Sequence, residues 1–215
     1  MALGNSYVSL EEMKEYLGLA DQSSTIYDGV LQGAIDAASR AINERCGRQF
    51  NKATTLSERR FRPLNVNRVY VDDFYSLDGL EVSVDLSGTG NYGPVWTSQE
   101  YELGPYEDGV KNGVPGWPWW RIDTAMLKFF AYPYLPGRKN RVKVNALWGW
   151  AEVPSPVIQA CRQHVSEIYN IKDAPFGIQG FGDMGYARIK DNSVTARLLR
   201  DYVLDSGCAS VGVGG

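Results

Sequence analysis

The string Gly180-Phe181-Gly182-Asp183-Met184-Gly185 has the glycine spacing of a dinucleotide-binding turn. That chemistry needs the glycines between a strand and a helix N-terminus, so that backbone amides face a pyrophosphate. Here a helical pattern precedes the string, no strand-type run leads into it, and Tyr186 to Lys190 does not open a helix. The glycines are read instead as permitting tight turns. His164 is the sole histidine, which excludes a multi-histidine metal site and leaves any catalytic triad to be built on it. Ser166, the nearest nucleophile in sequence, lies two residues along a predicted helix and faces elsewhere. His164 is therefore read as a structural or surface residue. The pairs Glu81/Asp85 and Asp72/Asp73 have the residue type of glycosidase carboxylates. Glu81 and Asp85 share a strand face, but acidic residues alternating with valine mark a solvated face.

Two further sets are binding candidates. Trp117-Pro118-Trp119-Trp120, with Trp148 and Trp150, have the ring area of a stacking platform for sugars or bases. The alternative is that they fill a core or a subunit interface, where aromatics are enriched, and that reading is preferred. Arg59, Arg60 and Arg62 form the densest basic cluster. On an alternating strand Arg60 and Arg62 face one way and Arg59 the other, a weak grip for phosphate and a better source of inter-subunit salt bridges. None of these sets completes a catalytic, cofactor-binding or metal-binding arrangement. The sequence predicts no enzymatic activity, no cofactor and no metal.

The elements that position these residues alternate between two periodicities. Ser9 followed by Glu12 is a capping box that starts a short helix, and Gly18 stops it. After a polar connector over 21–28, Val30, Leu31, Ala34, Ile35, Ala38, Ile42 and Cys46 recur at helical spacing, with Gly47 as the stop. From Leu56 the period changes to two. Strands are expected at Glu58–Arg62, Arg68–Phe74, Leu80–Leu86, Glu100–Leu103, Trp120–Ala125 and Arg141–Leu147, with turns at Asp78-Gly79, Gly88 to Pro94 and Glu107 to Gly116. All six tryptophans fall between Trp96 and Trp150. Tyr132 to Gly137 reads as a projecting loop, since its two prolines lack the donors a central strand needs. Helix returns at Ser155-Pro156, with Val157, Ile158, Cys161, Val165, Ile168 and Tyr169 as its buried stripe. Asp173 to Gly185 reads as a loop. A last helix is expected from about Asn192 to Val203, followed by a glycine-rich tail.

The two helical segments, Tyr7 to Gly47 and Pro154 to Tyr202, are separated by about ninety residues of strand-type sequence. An amphipathic helix cannot bury its stripe alone, so the two are expected to pack together. The fold class expected is α+β: a bundle of three to four helices with a large antiparallel β-rich insertion between the second and third. The expected domains are 1–55 with 151–203, the insertion over 56–150, and a flexible tail over 204–215.

A chain of 215 residues buries roughly 70% of its unfolded surface and needs no disulfide or metal to fold. Cys46 and Cys161 sit at apolar helical positions and Cys208 in the tail; an odd count without paired spacing predicts reduced thiols in a cytoplasmic setting. Met1 opens a polar stretch rather than a signal peptide, and no apolar run approaches the roughly 18 residues of a membrane span. Net charge is −3 and the pI about 5.3, without the basic excess of a protein that grips duplex DNA.

Four blocks, in order, carry a family resemblance. They are Tyr7-Val8-Ser9-Leu10-Glu11-Glu12 with Tyr16-Leu17; Ala34 to Ile42 closed by Cys46-Gly47-Arg48-Gln49-Phe50; Trp148-Gly149-Trp150-Ala151 to Val153-Pro154, then Val157 and Ala160; and Asp173-Ala174-Pro175-Phe176-Gly177 ahead of a helix ending in Leu198-Leu199 and Tyr202. Together they cover roughly half the chain and resemble the head-to-tail connector (adaptor) proteins of long-tailed bacteriophages. The β segment shares only its strand-rich character and Glu100-Tyr101-Glu102-Leu103. The resemblance implies a non-enzymatic virion protein of the neck, made in the host bacterial cytoplasm. Copies of it, typically twelve, would form a ring under the capsid portal. Such a ring extends the DNA channel, lets DNA pass without sequence-specific binding, and carries the stopper or tail proteins.

On this reading Pro175, Phe176, Tyr186, Arg188, Leu198, Leu199, Tyr202, Leu204, Val211 and Val213 are expected at portal or inter-subunit contacts. Arg59, Arg60, Arg62, Trp119 and Trp120 are expected at lateral ring contacts. The alternatives are another neck or tail-completion ring protein, a carbohydrate- or receptor-binding module using the tryptophans, and a hydrolase built on a carboxylate pair or His164.

Overall fold

The structure, a computed structural model, describes residues 6–19, 25, 27–130, 141–171, 178–180, 186–188 and 193–204. Its elements run α1 (Leu10–Tyr16), α2 (Asp28–Cys46), β1 (Ser57–Phe61), β2 (Arg68–Val84), β3 (Tyr101–Gly104), β4 (Trp119–Thr124), β5 (Val142–Trp148), α3 (Ser155–Ile171), β6 (Ile178–Gly180), β7 (Tyr186–Arg188) and α4 (Ser193–Leu199). The class is α+β, with helices and a five-stranded antiparallel sheet, and β1 to β5 lie between α2 and α3 in chain order. The chain divides into two compact units, Met1–Arg48 with Val153–Leu204, and Gln49–Glu152.

In the helical unit α2 packs on α3, and α3 on α4. The capping box forms as the sequence predicts: the Glu12 N–H donates to Ser9 Oγ at 3.2 Å and the Ser9 N–H to Glu12 Oε2 at 2.9 Å. Helix α2 buries Leu31, Ala34, Ile35, Ala38, Ile42 and Cys46 and closes on Gly47, whose φ of 62° is the left-handed conformation that glycine takes without strain. Val30, expected in that stripe, is half exposed, because it sits in the first turn where the buried face has yet to close. Ser39 belongs to the stripe instead. Its hydroxyl donates to the Ile35 carbonyl at 2.9 Å and accepts from the Tyr7 N–H at 3.2 Å, which satisfies a polar group inside an apolar seam. On α3, Val157, Ala160, Cys161, Val165 and Tyr169 are buried, whereas Ile158 and Ile168 flank the stripe half-buried. The helix starts at Ser155 with Pro156 inside its first turn, and the Pro154 carbonyl accepts from Val157 and Ile158. Proline costs nothing there, since its missing N–H is one the first turn leaves unbonded.

In the β unit the sheet order is β1-β5-β2-β4-β3. Strand β5 alternates in burial along its length, with Val142, Val144, Ala146 and Trp148 inward, and they join Phe61, Val69, Phe74, Val82, Ile122 and Phe130 in one core. Each large apolar side chain there contributes about 2–3 kcal/mol.

The predicted turn at Asp78-Gly79 is absent. Arg68 to Val84 is one strand: Phe74 and Ser76 pair with Trp148 and Leu147, and Glu81 to Val84 pair with Asn145 to Val142 of the same β5. A chain that keeps its partner on both sides cannot reverse, so the extra residues between Ser76 and Glu81 bulge out, with Gly79 at φ 70°. The region expected as a glycine loop also differs. Ile178–Gly180 and Tyr186–Arg188 form a two-stranded antiparallel pair, so a short strand does lead into Gly180. The second strand, not a helix, follows the glycines, so among the described residues the βαβ context of a nucleotide site is missing. The projecting loop expected at Tyr132 to Gly137, and Cys208, lie outside the described residues.

Candidate interaction surfaces

The groups with catalytic potential are occupied by structural bonds. His164 Nδ1 lies 3.3 Å from Glu167 Oε2 one turn along α3, and Ser166 Oγ donates back to the Arg162 carbonyl at 2.9 Å, so the two do not address a common point. Asp85 corrects the sequence reading. It is fully buried just beyond β2, where it accepts from Gly88 N (2.8 Å), Gly90 N (2.6 Å) and Ser87 Oγ (2.9 Å). Burial pushes its carboxyl up, but the amides of Gly90, Gly88 and Thr89 and the Ser87 hydroxyl outweigh that and hold it below its ordinary value. Glu81 is exposed and accepts from Asn145 Nδ2 at 3.4 Å, so it shares neither environment nor partner with Asp85. Asp72 pairs with Arg59, while buried Asp73 accepts from Trp150 Nε1 at 2.9 Å. Among the described residues no cluster of three or more His, Cys, Asp or Glu side chains is placed to hold a metal. Nor does any described helix have the length and apolarity to cross a membrane. Cys46 and Cys161 are buried free thiols, and burial pushes both up to about 11. They behave as small core residues.

The tryptophans form no open platform. Trp148 and Trp150 are 2% exposed and Trp96 and Trp120 each 9%, a burial that removes the stacking faces. Trp117 meets Trp150 edge-on at 5.1 Å, Tyr106 meets Trp117 and Trp120 edge-on at 5.7 and 5.3 Å, and Phe74 lies 5.7 Å from Trp119. Sugar or base stacking needs exposed, roughly coplanar rings, and these are tilted into one another. Their packing is that of a core.

The arginine cluster occupies the β1 edge of the sheet. Arg59 reaches Asp72 at 2.6 Å and covers the Trp148 ring at 4.6 Å, whereas Arg60 pairs with Glu58 at 2.9 Å and lies 5.5 Å from the Tyr92 ring. Lys143 joins the same Glu58 and Tyr92. These are exposed pairs, worth at most about 1 kcal/mol each. Arg62 lies just past β1 and is exposed.

Of the residues expected at a portal or neighbouring subunit, Leu199 is 1% exposed and serves the interior of the helical unit. Leu198 and Tyr202 are half-buried, and burial raises the Tyr202 hydroxyl above its ordinary value. Leu204, expected at the head of the tail, is tied to the end of α2 through its N–H to the Cys46 carbonyl at 2.9 Å. Tyr186 and Arg188 lie in β7. Pro175, Phe176, Val211 and Val213 lie outside the described residues.

Sequence periodicity does not reveal the tip that follows β4. Met126 (φ 49°) and Leu127 (φ 60°) are consecutive left-handed residues, 68% and 92% exposed. The Lys128 N–H closes the turn on the Ala125 carbonyl at 3.0 Å. Two adjacent left-handed residues bridged in this way make the turn that ordinarily takes Asn-Gly. Asp108 and Asn112 are also left-handed here, but they are residue types that tolerate it. Met and Leu are not, and each costs roughly 1 kcal/mol or more. Both flanks are fixed. The Ala125 N–H donates to the Glu100 carbonyl, Lys128 Nζ lies 2.6 Å from Glu100 Oε1, and fully buried Phe130 stacks on Trp96 at 5.2 Å. The sequence signal for this feature is an apolar dipeptide standing where turn chemistry calls for Asn-Gly.

No protein-family model matches the sequence, and no curated protein matches it. Solved structures do share its fold. A chain from the neck of an empty gene transfer agent (GTA) particle computed with C6 symmetry superposes with a TM-score of 0.55 at 14% identity, over 97% of this chain and 93% of that one. A chain from the neck of a native GTA particle computed with C12 symmetry gives 0.50 at 14% identity, over 99% and 98%. A chain from the virion of a native GTA particle gives 0.46 at 17% identity, over 96% and 93%.

Proposed function

We propose that this chain is a virion structural protein of the neck: a head-to-tail adaptor whose copies, about twelve, close into a ring beneath the capsid portal. The observation that carries the reading is the fold shared over nearly the whole chain with proteins of particle necks computed with C12 and C6 symmetry. A fold-level likeness is an analogy for function. It gains weight because the catalytic candidates are engaged in holding the structure and the tryptophans are core. A bundle formed by α1 to α4, with the β unit as its insertion, would then be the ring's building block. Lateral contacts would involve the β1 edge around Arg59, Arg60 and Arg62, and the portal would be met through the 173–189 segment and the C-terminal residues from Leu204 onward. A net charge of −3 suits a channel wall, since clustered lysines would hold phosphates and slow passing DNA.

Native mass measurement of the full chain, alone and with the portal of its own particle, tests this. The expected result is a closed ring of about twelve copies bound to the portal. A chain that remains solitary in its particle overturns it. A ring that touches other neck proteins but never the portal reassigns the chain to a different position in the same neck.

A further inference from the structure

We propose that the Met126-Leu127 tip is the plug of a head-to-tail contact between copies of this chain, received by the apolar patch of Leu56 and Leu77 on the next copy. The inference rests on the ring reading and names the surfaces that would close it. A cyclic ring needs two different, mutually complementary flanks on every subunit, because its contact is heterologous.

The β unit has two different exposed apolar features that could serve as such flanks. At the β3–β4 end stands the strained tip, with Phe129 also 42% exposed. Apart from it, Leu56 (46% exposed), just before β1, lies over the bulge of the middle strand β2, so close that a Cβ on Gly79 would meet its Cδ1 at 2.5 Å, and Leu77 (54%) stands in the same bulge. Glycine at 79 lets the Leu56 side chain lie flat on the bulge, and Leu56 and Leu77 together present an exposed apolar patch. The two sheet edges differ in net charge: exposed Glu102 on β3 and exposed Asp108 beyond it, against a β1 edge where exposed Arg60 and Arg62 outnumber Glu58, the partner of Arg60. Among the described residues β1 pairs only with β5 and β3 only with β4. Both edges are short and charged, which blunts indiscriminate strand addition while favouring the oppositely charged edge.

Strain supplies the second argument. A left-handed Met-Leu pair lowers the stability of the subunit that holds it, and its flanks are bonded so that it cannot relax. A backbone already fixed at the tip loses little conformational freedom on docking, so that part of the cost of binding is met in advance.

The test uses the full chain with Cys208→Ser, in rings or, where the free chain stays monomeric, in whole particles. Met126→Cys and Leu77→Cys in separate chains, mixed and oxidised, should give a disulfide-linked dimer, and neither variant should do so alone. A dimer from Met126→Cys alone would show a two-fold contact and overturn the proposal, as would cross-links from position 126 to a different protein. Leu127→Gly should raise the Tm of the isolated subunit while weakening assembly about tenfold or more. A merely structural role would lower both, and that result also overturns the plug. Glu102→Arg and Arg62→Glu should each weaken assembly and together restore part of it. Rings that form normally in Leu127→Gly, with no 126–77 link, refute this contact and leave the ring reading standing. A wild-type chain that never assembles refutes both.

Discussion

In the helical unit the features that start, stop and pattern the helices are neighbours in sequence: a capping box, an alanine-rich stripe on α2, a left-handed glycine at its end. In the β unit they are distant. Trp150 hydrogen-bonds Asp73, the Trp148 indole donates to the Ser57 carbonyl at 2.8 Å, and the Ala53 N–H donates to the Trp148 carbonyl. The difference also shows on the surface. The α1 capping box and the α2 glycine stop follow local preference, whereas the β unit tolerates a left-handed Met-Leu pair. Local rules are broken where long-range contacts are dense enough to enforce the exception, and such exceptions mark candidate contact sites.

The contrast breaks most visibly at Gly149. Its φ is 96°, its N–H donates to the Asp73 carbonyl at 2.6 Å, and an added Cβ would sit 1.7 Å from the Asn51 carbonyl oxygen. Gly149→Ala should destabilise the β unit by about 4 kcal/mol or more. All six tryptophans lie in that unit, so near-UV circular dichroism and emission should report its loss while helical far-UV signal persists. The helical counterpart is Ile35→Ala at a position with no exposure, expected to cost about 3 kcal/mol. Here the denaturation midpoint followed by far-UV ellipticity should fall further than that followed by tryptophan emission. Equal shifts in both experiments would erase the distinction between the units.

The same contrast governs what was legible in the sequence. The helices, their caps and most of the buried stripe were readable because a 3.6-residue period and a glycine stop are local properties. The strands were readable from alternation, but the continuity of β2 was not. Asp78-Gly79 has turn chemistry, and only pairing to β5 on both sides converts it to a bulge. Asp85 looked solvated because alternation carries no information about a loop that folds back to donate two amides and a hydroxyl to it. The Met126-Leu127 tip was invisible for the converse reason: the strand was expected to end at Ala125, but the apolar pair after it carries none of the glycine, asparagine or aspartate that marks a tight turn. Of the surfaces, the charged β1 edge was legible from its three arginines, while the exposure of Leu56 and Leu77 beside the bulge depends on the continuity of β2 and was not.

Asp85 offers a subtler test. Its carboxyl titrates lower folded than its unfolded value of about 3.9, so the stability it contributes is complete above that value and is lost as pH falls through the folded one. Asp85→Asn should cost about 1–3 kcal/mol at pH 7. The gap between variant and wild type, read from urea midpoints, should hold down to about pH 5 and close in acid. A gap independent of pH would mean that the side chain's shape, not its charge, organises the 86–93 loop.

The smallest effect belongs to the capping box. Ser9→Ala removes the acceptor for the Glu12 N–H, and Glu12 then caps only the backbone of residue 9. Both bonds are exposed, so water takes over most of what is lost, and the expected cost is about 1 kcal/mol. A short helix amplifies even this. Seven residues with a single buried anchor, Met13, have little besides the cap to hold their first turn. Amide exchange in α1 should therefore accelerate about fivefold while α2 keeps its protection. The Met126-Leu127 turn would not show such a local response, because its flanks are held by the carbonyls of Glu100 and Val66. Exchange that accelerates equally in α1 and α2 would instead mean that the first helix is an integral part of the helical core.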